Sequence, residues 1–175
     1  MSCSRYCSVL PRDPESCSCW VRLPVGPARR VLVRADPALS VKISVRYEGQ
    51  LHCEAVHGPS GTKLATDAPV DNEGKGESFS PTDLVATALA ACMATIMGIM
   101  AKRHGIKIEG TTVETVKEMS TDSPRRIVGL KSKVTVPLPG DHPQKKLLES
   151  AALGCPVHHS LDPRIDKSVE FVWKG

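Results

Sequence analysis

Aromatic side chains are scarce: two Trp, two Tyr and two Phe among 175 residues, or 3%. The core must therefore be built from Val, Leu, Ile, Ala and Met. The same scarcity argues against a nucleic-acid surface, which stacks bases on aromatic rings. Excess charge is also missing from most of the chain. The formal net charge is +4, and residues 1–40 hold +3 of it: Arg5, Arg12, Arg22, Arg29, Arg30 and Arg34 against Asp13, Glu15 and Asp36. The remainder is close to neutral and offers no basic stripe to a polyanion. The first 30 residues contain no apolar run of signal-peptide length, so a reducing, cytoplasmic setting is expected. Cys3, Cys7, Cys17 and Cys19 lack the C-x2-C pairing of common zinc modules.

The chain is long enough for one domain with a sizeable core. Residues 1–40 mix Cys, Pro, Arg and Ser without a period of two or 3.6. They read as a disordered extension or a mis-assigned start. From Val41 the pattern sharpens. Val41, Ile43, Val45 and Tyr47 alternate with polar residues as in a half-buried strand. Gly49-Gln50 is a turn signal, followed by strands at Leu51–His57 and Thr62–Thr66. Residues 107–119 and 126–136 read as longer strands, Asp141–Leu153 as an amphipathic helix, and Val169, Phe171 and Trp173 as a last strand. The order βββ, α, ββ, α, β defines an α+β class.

Between the two groups of strands lies the strongest helix signal. Ser80 suits the N-cap, Pro81 the first helical position and Asp83 the third position of a capping box. Leu84–Ala101 then carries no charge, and Lys102, Arg103, His104 and Gly105 end it. Such a segment can be a short membrane span, a helix buried in one core, or a helix covered partly by a second subunit. Its Ala, Thr and Gly98 content disfavours the membrane. One small sheet covers only one face, which favours a partner subunit.

Cys92 sits in mid-helix, where a thiol is often plain packing. Cys155 precedes Pro156, so it reads as the N-cap of a further short helix, where partial positive charge favours thiolate. His158 and His159 follow in that first turn. A zinc reading would use Cys92, Cys155, His158 and His159 as ligands, although no close Cys/His pair flanks Cys92 on the helix. Cys53 reads as strand packing.

Ser80-Pro81-Thr82-Asp83-Leu84 with Ala90-Ala91-Cys92 resembles the S-P-x-E-L…A-x-C opening of the central helix in the OsmC/Ohr family. Gly154-Cys155-Pro156-Val157-His158 resembles the family's second Cys-Pro motif, and Gly105–Gly110 fits as well. The resemblance covers Val41–Gly175. It implies two small sheets around a long central helix, in an intertwined homodimer with active sites at the interface. It further implies that Cys92 is the peroxidatic thiol and that Cys155 resolves its sulfenic acid to a disulfide. Dihydrolipoamide or a small thiol would then restore the pair, with no cofactor, nucleic acid or membrane involved. The alternative is a non-catalytic dimer that binds a small apolar ligand or zinc.

The sequence departs from the Ohr branch in one respect. There an arginine activates the thiolate, held by a glutamate in the helix motif. Here Thr82 occupies the glutamate position, with the acid one residue later at Asp83, and Lys63 is the nearest cation to the missing arginine. Asp83 and Cys92 lie nine residues apart, roughly 13 Å along a helix and half a turn around it. Asp83 is therefore expected either to act across a dimer or simply to cap its helix.

Overall fold

In the computed structural model, residues 36–175 are described, so the reading of residues 1–40 as an extension lies almost wholly outside them. Within the unit Met1–Ser40, the described residues include a 3-10 turn at Pro37–Leu39, capped by Asp36. Val41–Gly175 forms the second unit.

The second unit begins with an antiparallel meander: β1 (Ile43–Gly49), β2 (His52–His57) and β3 (Lys63–Thr66). Ile43 faces His57 and Tyr47 faces Cys53 across the first pair. Ile43, Val45 and Tyr47 alternate as expected, yet all three are exposed within the chain. The period of two thus marks an apolar face that the rest of Val41–Gly175 does not cover.

Helix α1 spans Pro81–Arg103. It stops where the sequence signals it. Gly105 takes φ +66, Ile106 N–H donates to the Ala101 carbonyl and Gly105 N–H to that of Lys102. That is a Schellman termination, and the left-handed residue it needs is a glycine. The second sheet follows. β4 (Thr112–Met119) runs antiparallel to β5 (Ile127–Val136), and β6 (Val169–Trp173) lies parallel to β5 on its other side. The parallel pair requires a crossover, provided by α2 (Lys145–Leu153) and α3 (Pro156–Ser160).

Two boundaries differ from the sequence expectation by more than two residues. β4 begins at Thr112 rather than 107, because Gly110 adopts φ +91 and breaks the extended run. Ile106 and Ile108 still alternate, but as loop residues packed on the core. α2 begins at Lys145 rather than Asp141, because Pro143 disfavours helical geometry in the residue before it.

The core lies between α1, β5 and α2. Ala86, Leu89, Met93, Met97 and Ala101 form one buried stripe of α1 at spacings of three and four. They meet Leu130, Val134 and Val136 of β5, and Leu148 and Ala152 of α2. Each large side chain buried there contributes about 1.5–3 kcal/mol. The rest of α1 is more open: 28% of its apolar window is buried by its own chain. Among the described residues, α1 is the one helix long and apolar enough to cross a membrane.

Candidate active site

Cys92 is half-buried on α1, one residue from the core stripe, and packs against the core cluster. Cys155 is fully buried in the same cluster. Its position follows from local sequence. Gly154 ends α2, Pro156 opens α3, and Cys155 between them becomes the N-cap. The Cys155 sulfur accepts the His158 backbone N–H at 3.3 Å. The fold therefore brings the two expected cysteines into one site, and neither is in a disulfide.

The electrostatics differ from the sequence expectation at Cys155. Burial pushes its pKa up most strongly; the His158 amide pulls it back, the neighbouring Cys92 thiol raises it again, the Val157 amide lowers it least, and the net direction is upward. The cap position does not yield a thiolate, because a five-residue helix cannot offset full desolvation. His158 does not supply a positive charge either. Burial lowers its pKa, and Lys167 and His159 lower it further, so its imidazole is neutral at neutral pH. Its Nδ1 is buried without a hydrogen-bond partner. The zinc reading is not supported in this arrangement: among the described residues, Cys92, Cys155, His158 and His159 do not gather their ligand atoms around one point.

Asp83 closes the capping box. Its backbone N–H donates to Ser80 Oγ at 3.1 Å, and its Oδ2 accepts the Ser80 N–H at 2.8 Å. Its other oxygen accepts from Lys117 Nζ, which also donates to Thr82 Oγ1 at 2.9 Å. Burial pushes the Asp83 carboxyl up. The Lys117 ammonium and the Ser80 groups outweigh that and hold it below the ordinary carboxylate range. Lys117 was not singled out from sequence. The available signal was the alternation of β4, which points Val113, Thr115 and Lys117 the same way and so turns a lysine inward. These groups border an open cavity of about 930 Å³, lined by Phe79, Asp83, Ala86, Ala90, Thr115 and Lys117.

Lys63 lies on β3, where its Nζ donates to both Glu54 carboxylate oxygens at 3.1 Å. Its side chain is 65% exposed, and its hydrogen bonds go to neither thiol. Cys53 is half-buried on β2, opposite Tyr47 and Thr66, in a packing position.

Comparison with known proteins places the chain in a family. The family model described as OsmC-like protein matches residues 74–170. A Psychrobacter arcticus structure, provisionally named an osmotic stress induced and detoxification response protein, is 46% identical. It covers 74% of this chain and 93% of its own, with a TM-score of 0.70. An OsmC-like protein from Mycoplasma pneumoniae shares 16% identity, 78% of this chain and 98% of its own, at a TM-score of 0.66. The organic hydroperoxide resistance protein OsmC of Legionella pneumophila shares 15% identity, 80% of this chain and 100% of its own, at 0.63. No curated protein matches the chain. With two small sheets, a long central helix, and both the Cys92 and Cys155 motifs inside the matched region, the chain belongs to the OsmC-like family.

Proposed function

We propose that the protein is a thiol-dependent peroxidase for hydroperoxides, working through Cys92 and Cys155. The observation that carries this reading is the packing of a fully buried Cys155 beside the Cys92 thiol. Cys92, as thiolate, attacks the outer peroxide oxygen. The O–O bond breaks, the alkoxide leaves and takes a proton to become the alcohol, and Cys92 becomes a sulfenic acid. The Cys155 sulfur then displaces hydroxide from Cys92, which leaves as water with the Cys155 proton, and a disulfide remains. A dithiol such as dihydrolipoamide, or two small thiols, returns both cysteines to the reduced form and is itself oxidised. A reducing compartment, the cytoplasm, supplies such a reductant.

The raised pKa of Cys155 suits the resolving role. A resolving thiol that stays protonated does not compete with Cys92 for peroxide. Solved relatives named organic hydroperoxide resistance proteins, from Legionella pneumophila and Elizabethkingia anophelis, support an organic peroxide as substrate.

The assembly in this reading is a homodimer. The exposed Ile43, Val45 and Tyr47 of β1, and Ile99 of α1 at 42% exposure, are apolar surface that a second copy would cover. Asp83 and Lys63 reach a Cys92 only across such a dimer, since within one chain Asp83 caps α1 and Lys63 pairs with Glu54. Adding cumene hydroperoxide to the reduced protein tests the reaction. Two free thiols should disappear for each cumyl alcohol formed, and the Cys92→Ser variant should form none. Alcohol production at the wild-type rate by Cys92→Ser would refute the assignment.

A further inference from the structure

His52, Asp67 and Glu77 come from separate parts of the chain: the start of β2, the end of β3 and the loop leading into α1. One ligand atom from each lies within 4.8 Å of the other two. Their sequence spacing gave no sign of this, because none of the gaps is a short ligand repeat.

The ring of His52 is oriented for coordination. Its Nδ1 lies 2.9 Å from the Gln50 carbonyl oxygen. A carbonyl can only accept, so Nδ1 carries the proton and the Nε2 lone pair is free in the neutral ring. Nε2 faces Glu77 Oε2 at 3.4 Å. Two ligands bound to one tetrahedral ion at about 2.0–2.2 Å sit roughly 3.4 Å apart. A backbone carbonyl holding the far nitrogen is also the usual second partner of a metal-bound imidazole.

Asp67 provides the independent sign. Its side chain is completely buried. Oδ2 accepts the Glu77 N–H at 2.9 Å, but Oδ1 has no hydrogen-bond partner. The nearest cationic candidate is His52 Nδ1 at 3.6 Å, already committed to Gln50. A buried carboxylate oxygen left without a partner is costly unless something positive meets it. Glu77, at 62% exposure, leaves the third side open to solvent and to bound water.

We propose that His52, Asp67 and Glu77 bind one divalent transition-metal ion of the zinc class. One imidazole with two carboxylates is a borderline-to-hard donor set. It suits zinc, cobalt(II), manganese or iron(II) and not copper(I), which favours sulfur. The ion binds the Asp67 carboxylate, the His52 imidazole and a Glu77 oxygen, with water completing the shell. It ties the β3–α1 loop to β2. That loop carries Phe79, which lines the cavity beside Asp83. The site is independent of the peroxidase reading, because neither cysteine takes part.

Cobalt(II) chloride is the probe, added to the full-length reduced protein after chelator treatment and desalting. Cobalt reports its ligands: bound thiolate gives sulfur-to-cobalt charge-transfer bands in the near ultraviolet, whereas an imidazole–carboxylate shell gives ligand-field bands without them. One equivalent should bind with ligand-field bands and no sulfur charge transfer. Glu77→Gln, an exposed change with little risk to folding, and His52→Ala should each weaken that binding at least tenfold. Binding that shows only thiolate bands, binding unaltered by both variants, or no stoichiometric binding would each overturn the site.

Discussion

Lys117, on β4, donates to the carboxylate of Asp83, the same residue that closes the capping box of α1. One side chain thus completes a helix end and anchors the second sheet to it. Lys117 is only 17% exposed, so losing its partner leaves a largely buried ammonium. Asp83→Ala should lower stability by about 1–2 kcal/mol, the cap accounting for most of it. Lys117→Met should cost less, about 1 kcal/mol at most, since Asp83 is partly exposed and keeps its cap. Denaturant unfolding of the two variants checks the order. If capping is the whole role of Asp83, the peroxidase rate of Asp83→Ala stays within about twofold of wild type while its melting temperature falls.

Cys155 sets an alkaline limit. Burial raises its pKa in the folded chain, whereas an unfolded cysteine ionises near about 8.5. The folded state therefore favours the protonated thiol. Its contribution is fully present below the unfolded value and is lost as pH rises through the folded one. Unfolding free energy should fall more steeply between pH 8 and 10 in wild type than in Cys155→Ala, on the order of one proton's worth of slope. Equal slopes would mean that the thiol is not desolvated.

Two apolar positions two residues apart on α1 should behave oppositely. Met97 is fully buried against the chain's own core, while Ile99 is exposed. Met97→Ala should cost about 2–5 kcal/mol at any protein concentration. Ile99→Asp should leave the single chain folded and shift sedimentation toward monomer. A variant that remains fully dimeric at micromolar concentration would place the interface elsewhere.

Much of this architecture is legible in the sequence where local rules act alone. Ser80, Pro81 and Asp83 begin α1, and Gly105 ends it, because caps and left-handed glycines are local devices. The Cys155 cap position is legible for the same reason. What escaped depends on the fold around it. Cys155 lost its expected thiolate character because burial outweighs a short helix, and burial is not a local property. Lys117 escaped because its partner lies 34 residues away. Asp67 and Glu77 lie in the segment between the third strand and α1, with no ligand spacing to His52, and only the meander brings His52 to them. The apolar alternation of β1 is visible in the sequence, but not that the rest of Val41–Gly175 leaves its face uncovered.

Peptide mapping after one equivalent of cumene hydroperoxide asks whether residues 92 and 155 become covalently joined. Reduced protein is oxidised, alkylated, digested without reductant and analysed by mass spectrometry. A single dominant cross-link between the Cys92 and Cys155 peptides is expected, reversed by dihydrolipoamide and absent from Cys155→Ser, where Cys92 should instead carry a trappable sulfenic acid. Both cysteines recovered as unlinked, alkylated thiols after the peroxide has been consumed would show that some other chemistry consumes it.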